Sequence, residues 1–129
     1  MTVVVDASVV VAALVDSSEN GSWAEAVIAE HELLAPHLLV TETLSVLRRL
    51  ERAGDIESAA ASQSVNDLER LPIQYVNETA LTDQIWSLRH NTTSYDACYV
   101  ILARSLALPL ATLDLRLASQ DSGVDYLTP

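Results

Sequence analysis

Four consecutive residues, Thr2-Val3-Val4-Val5, form an apolar, β-branched run that stops at Asp6. β-Branched side chains are stiff at χ1 and favour an extended backbone, so such a run reads as a buried strand. A strand buried on both faces needs helices above and below it, which constrains the chain to an α/β architecture. Its terminating carboxylate then falls at the carboxyl edge of the sheet, where open α/β folds place their sites. Three more acids, Glu42, Asp96 and Asp114, sit at comparable strand or helix ends farther along. Four such carboxylates converging would make a site for a hard cation.

The rest of the chain alternates strand and helix patterns. After the Thr2–Val5 strand, Ser8 offers an N-cap for a short apolar helix to about Val15. Helical spacing of Trp23, Ala24, Val27 and Ile28 predicts a second helix over Asn20–Glu30. Glu32–Ala35 reads as a short strand broken by Pro36, and Leu38–Arg52 as a long helix ended at Gly54-Asp55. Ile56–Leu71 is a further helix, Ile73–Val76 a strand, and Thr79–Arg89 a helix. Asn91-Thr92-Thr93-Ser94 is a polar break rich in capping groups. Tyr95–Leu106 is an apolar helix, with strands at Leu110–Thr112 and Val124–Leu127. Strands separated by helices imply crossover connections, hence a three-layer α/β/α sandwich with a mostly parallel central sheet.

At 129 residues the chain is expected to be one domain, 1–129, large enough for a real core. Hydrophobic residues make up 50% of it, which is rich for a small domain and leads us to expect an oligomer. The single cysteine, Cys98, excludes an internal disulfide and sits in an apolar helical pattern, as a core thiol does. Asp6 interrupts the first apolar stretch and no basic residue precedes it, so neither a signal peptide nor a membrane span is expected, and the cytoplasm is. The sequons at Asn20, Asn77 and Asn91 are then chance matches.

Formal net charge is -11, and all seven basic residues are arginine. Such a chain ordinarily repels a polyanion, because affinity for nucleic acid rests on neutralising phosphates. Divalent cations held by carboxylates invert the local field, and that exception matters here. Each acid also has a purely structural explanation: a carboxylate in a first helical turn stabilises the helix dipole, and one after a strand terminates it. Yet all four lie beside strongly apolar segments. On the Leu38–Arg52 helix, Val40, Leu44 and Leu47 form an apolar stripe, while Glu42 falls opposite with Ser45 and Arg49. Gathering like charges raises their pKa values and costs stability unless a cation compensates. Mg²⁺ or Mn²⁺ is the natural compensator, since both take oxygen ligands and keep waters for a substrate phosphate.

Val5-Asp6-Ala7-Ser8, Glu42 early in its helix, Ser94-Tyr95-Asp96-Ala97-Cys98-Tyr99 and Leu110-Ala111-Thr112-Leu113-Asp114-Leu115-Arg116-Leu117 together resemble the PIN-domain nucleases. More narrowly they resemble the VapC-type toxin ribonucleases of toxin-antitoxin pairs, over nearly the whole chain in order and length. The resemblance implies that Asp6, Glu42, Asp96 and Asp114 bind one or two Mg²⁺ or Mn²⁺ ions and cleave RNA, with Ser8 and Thr112 at the supporting hydroxyl positions. It also implies a small antitoxin partner that covers the cleft and a homodimer. The segment from Glu51 to Arg89 matches no motif. Metal catalysis of this kind activates a water against a phosphodiester and stabilises charge on the phosphoryl oxygens. No nucleophilic side chain is needed.

Arg49 shares the side of Glu42, with Arg52 and Arg48 toward the flank, and Arg116 follows Asp114, so Arg49, Arg52 and Arg116 are the candidates for holding RNA phosphates. The alternative is that the helix arginines merely solvate their face. His31, His37 and His90 share no ligand spacing. Trp23, Trp86, Tyr75 and Tyr99 fall among apolar residues and read as core, which leaves Tyr95 as the aromatic expected at the cleft. Three other classes compete. A phosphoacceptor receiver pairs acids after one strand and uses a lysine, and this chain has none. An aspartyl phosphatase wants a second Asp two residues after the first, where Ser8 stands. A noncatalytic PIN-like interaction module would keep the fold without needing all four acids.

Overall fold

The computed structural model describes residues 1–129. Its five strands are β1 (Thr2–Val5), β2 (Glu32–Pro36), β3 (Ile73–Val76), β4 (Leu110–Ala111) and β5 (Tyr126–Leu127). They form one sheet in the order β3-β2-β1-β4-β5, with every neighbouring pair parallel. β1 is central, with Thr2–Val4 registered on Glu32–Leu34 and Val4–Val5 on Leu110–Ala111. Its three valines are fully buried, as a strand covered on both faces requires. From β1 the chain builds outward through β2 and β3, then returns to lay β4 and β5 on the other side. The order therefore reverses between β1 and β4. Adjacent crossovers leave in opposite directions at such a point and open a crevice at the carboxyl ends of the strands.

Seven helices complete the three-layer α/β/α sandwich: α1 (Ala7–Val15), α2 (Glu19–Glu30), α3 (Leu38–Arg52), α4 (Ser58–Arg70), α5 (Thr82–Ser87), α6 (Ser94–Leu106) and α7 (Leu115–Ala118). α1 packs on α2, α3 and α4, whereas α6 packs on β1, β2 and β4 and is flanked by α5. Ala97 through Ala103 are all buried, so α6 is apolar around its circumference and sits deep in the molecule. One core joins β1, α1, α2 and α6 with Leu33, Leu39, Leu110 and Leu117. No helix is long and apolar enough to cross a membrane.

Several boundaries differ from the sequence pattern for identifiable reasons. α1 is capped by Asp6, not Ser8: the backbone at Asp6 is still extended, its carboxylate accepts from Val9 N, and the helix begins at once at Ala7. α4 is shorter than Ile56–Leu71. The helix expected over Thr79–Arg89 is a 3₁₀ turn, Glu78–Leu81, followed by the short α5. Glu78 is diverted to the start of α3, where its carboxylate accepts from His37 N at 3.0 Å and Leu38 N at 3.2 Å, which ties down the first turn. Pro36 ends β2 inside the sheet, and Leu110–Thr112 and Val124–Leu127 shrink to two residues each. On α3 the buried face is Leu39, Thr43 and Leu47, and Leu44 is exposed, so the helix is rotated from the expected stripe.

Gly21 and Gly54 are each required by geometry. A Cβ on Gly21 would lie 1.7 Å from the Asp16 carbonyl oxygen, so the packing of α2 under the end of α1 admits no side chain there. Gly54, at φ +80°, turns the chain out of α3.

Candidate metal centre

Asp6 lies at the bottom of the crevice, 7% exposed. The pairing of Val5 with Ala111 sets it beside Thr112, a neighbour 106 residues away. Thr112 Oγ1 donates to Asp6 Oδ2 and Ser8 Oγ donates to Oδ1, each at 2.5 Å. Val9 N adds a 3.3 Å bond to Oδ1. The two hydroxyls are themselves oriented, because Leu113 N donates to Ser8 Oγ at 3.0 Å and Asp114 N to Thr112 Oγ1 at 3.0 Å. No basic side chain pairs with this carboxylate. Burial pushes its pKa up to about 6 from the ordinary 3.8, and the hydrogen bonds from Ser8, Thr112 and Val9 only partly offset that.

The other acids reach the same crevice from different elements. Glu42 comes from the first turns of α3, half-buried, and its Oε1 accepts from the Tyr99 hydroxyl at 2.5 Å. Burial raises its pKa, Asp96's charge adds to the rise, and the tyrosine bond opposes it. Asp96 sits in the first turn of α6, which Thr93 caps by accepting from Asp96 N at 3.2 Å. Asp114 lies three residues beyond β4 and caps α7 through a 3.1 Å bond from Leu117 N. It does not follow its strand directly, because Thr112 and Leu113 intervene. Arg116 Nη2 stands 3.3 Å from Asp96 Oδ2 and 3.6 Å from Asp114 Oδ2.

All four carboxylates line one cavity of about 670 Å³. Its walls also hold Ser8, Asp16, Arg49, Asp55, Tyr99 and an apolar side made of Val11, Val15, Val46, Leu50 and Ile56. Arg52, Arg116, Thr112 and Tyr95 are not among the walls, and none of the three histidines is. Tyr95 is 61% exposed, outside the cleft position expected for it. Trp86, expected in the core, is also 61% exposed and packs its ring 4.5 Å from the Arg89 guanidinium. Tyr99 is the wall residue that the pattern had assigned to the core alone. Its position one helical turn after Asp96 was the available signal. Cys98 is a buried thiol with its pKa pushed up to about 11, by burial first and by Glu78 and Glu42 next, which makes it unreactive.

The donors are hard oxygens throughout, and the deepest is a buried carboxylate that no basic side chain pairs. That set suits Mg²⁺ or Mn²⁺ and not a soft, nitrogen- or sulfur-seeking metal. As the side chains stand, no three acids already close around one point. Arg116 takes up Asp96 and Asp114 instead, so a cation would have to displace it.

A family model described as PIN domain matches residues 3–122, a span that contains all four acids. A curated relative, VapC ribonuclease Mb0985 of Mycobacterium bovis, is 38% identical over 116 residues, 90% of this chain and 88% of the relative. The chain is a VapC-type PIN-domain protein. Its fold is shared with solved PIN-like structures at low sequence identity. PAE2754 from Pyrobaculum aerophilum superposes with a TM-score of 0.74 at 24% identity, covering 98% of this chain and 83% of that one. A chain of VapBC2 from Rickettsia felis, solved bound to a DNA fragment from its promoter, gives 0.69 at 12% identity, covering 99% and 98%. In this PIN domain the acids come from the residue just past β1, from α3, from α6 and from the loop after β4, and the sheet reversal places them on one cavity.

Proposed function

We propose that this PIN domain, residues 1–129, is a toxin of the VapC kind: a Mg²⁺- or Mn²⁺-dependent endoribonuclease acting on RNA phosphodiester bonds. The observation that carries the reading is the buried Asp6 carboxylate, which no basic side chain pairs, in a cavity it shares with Glu42, Asp96 and Asp114. The ribonuclease name of the 38%-identical relative supports the choice of RNA as substrate. A bound dication would supply an activated water and charge stabilisation at the phosphoryl oxygens. Asp6 and Asp96 are assigned as central ligands, Asp114 as ligand or orienter, and Glu42 as ligand or the group that aligns the water. Ser8 and Thr112 hold Asp6 in one orientation through bonds that are themselves anchored to the backbone. Arg49, on the cavity wall, is assigned to a neighbouring phosphate, with Arg52 one turn beyond it on α3 and Arg116 at the rim.

The same reading includes a homodimer, a cytoplasmic location and a cognate antitoxin. A cavity with an acidic floor and an apolar wall suits a partner segment that lays apolar side chains on Val11, Val15, Val46 and Leu50. An arginine from such a segment would compete for the carboxylates. The fold likeness to a chain of VapBC2 is in keeping with a partner of this sort.

One observation favours a second reading. Arg116 already bridges two of the acids, as it would in a noncatalytic module that had exchanged its cation for a guanidinium. Induction of wild-type and Asp96→Asn protein in cells, with mapping of RNA 5′ ends, separates the two. New ends with wild type alone support the nuclease. Identical end profiles, or a folded Asp6→Asn or Asp96→Asn protein that cleaves RNA at the native rate in Mg²⁺, would sink it.

A further inference from the structure

Three of the four acids are held by polar groups whose own positions are fixed, but they are held differently. Asp6 and Asp114 accept backbone N–H groups at the starts of α1 and α7. Glu42 accepts no backbone bond and sits mid-turn on α3, so its long side chain has no local anchor. What it has is Tyr99. The phenol is 2% exposed and packed in the core, so its direction is set by packing on all sides. Its hydroxyl nevertheless reaches the cavity wall and donates to Glu42 Oε1 at 2.5 Å. Glu42 Oε2 makes no bond to protein.

We propose that Tyr99 is a positioning residue that fixes the Glu42 carboxylate, leaving its second oxygen free to face the cation and water. Tyr99 and Asp96 stand three residues apart on α6, one turn, so a single rigid segment delivers one acid and sets the reach of another. The phenol is suited to this work because it is neutral. An arginine or lysine in its place would orient Glu42 but also neutralise it and compete with the metal. The bond also ties α3 to α6, the helices that carry Glu42 and Asp96.

The inference rests on the metal-dependent reading, and its test separates the two. Tyr99→Phe keeps the ring and its packing while removing only the hydroxyl. Mn²⁺ alone is the probe, its affinity measured by calorimetry for wild type, Tyr99→Phe, Glu42→Gln and the double variant. Loss of a group that orients a ligand typically costs about 10- to 100-fold in metal affinity, and Tyr99→Phe is expected at the lower end. In the Glu42→Gln background the same change should have little further effect, because the group it positions is already altered. With RNA as substrate, kcat should fall while KM stays near the wild-type value. A wild-type protein that binds Mn²⁺, beside a Tyr99→Phe protein that binds it equally well or loses the same factor in both backgrounds, overturns this inference alone. Wild-type protein that binds no Mn²⁺ overturns the metal reading and this inference with it. A measurement independent of any variant is the Tyr99 ring-carbon resonance of wild-type protein during a Mg²⁺ titration. It should move saturably with occupancy, and a static resonance while Mg²⁺ binds counts against the proposal.

Discussion

The floor and the rim of the acidic cavity are built on opposite plans. At the floor, Asp6 is almost wholly buried, accepts three hydrogen bonds and pairs with no basic side chain. At the rim, the side chains of Asp96 and Asp114 are 24% and 36% exposed and share the guanidinium of Arg116, itself 66% exposed. The floor is rigid and electrostatically uncomfortable, since burial removes water from a charge that only dipoles replace. The rim is relaxed and exchangeable, because exposed ion pairs are screened and contribute little. The fold thus stores the cost of the site at Asp6. It leaves the rim free to trade one cation for another.

The sharpest break between floor and rim comes from Asp6→Asn. RNA cleavage in Mg²⁺ should drop by about 100-fold or more, measured as a single-turnover rate, if Asp6 is the central ligand proposed above. The metal-free protein should move the other way and melt at a higher temperature at pH 7, because the variant removes a buried charge while keeping the shape. A lower melting temperature would contradict the account of the floor.

The pH dependence of metal-free protein tests the same point with a definite sign. Asp6 has its folded pKa raised to about 6 from 3.8, so the folded state holds the proton more tightly. Its contribution is therefore favourable and flat below pH 3.8, falls as pH rises from 3.8 to about 6, and is flat again above. The drop is on the order of 3 kcal/mol. It should appear as the difference between chemical denaturation curves of wild type and Asp6→Asn in chelator, since the other carboxylates cancel in that comparison. A difference that grows in favour of wild type with rising pH would reverse the assignment.

A smaller effect is expected from Thr112→Val, which keeps the buried volume but takes a donor from Asp6 and an acceptor from Asp114 N. Loss of buried hydrogen bonds to a charged group should cost roughly 1–3 kcal/mol in denaturant unfolding. Arg116→Ala, at the rim, should change stability least, within about 0.5 kcal/mol. It should nonetheless raise Mn²⁺ affinity, because a competing cation has gone. If Arg116→Ala proved as destabilising as Thr112→Val, floor and rim would not differ as described.

Much of this molecule can be read locally. The Thr2–Val5 run, the helical spacing around Trp23 and Val27, and the apolar stretch from Ala97 to Ala103 each report directly on burial, and burial fixes element type. Boundaries shifted where a distant partner intervened. Glu78 is bonded to the start of α3, and the stretch after it splits into a 3₁₀ turn and the short α5, while Ser8 bonds Asp6 and Leu113 and Asp6 caps α1 instead. The four acids stood out by their places beside apolar segments. The role of Tyr99 did not, since a core tyrosine and one that reaches a cavity with its hydroxyl share the same periodicity.

By itself, then, the chain of residues determined that there would be a covered parallel sheet and that oxygen donors would end up near its carboxyl edge. Periodicity and side-chain type are local, and they dictate which face of each element avoids water. Tertiary structure alone decided which segments became neighbours. The order β3-β2-β1-β4-β5 set Asp6 against Thr112 across 106 residues, turned Glu42 toward Tyr99 across 57, and left Arg116 between Asp96 and Asp114. Those contacts depend on sheet order and helix rotation, which minimise the free energy of the whole packed domain and leave no signature in any short stretch of sequence.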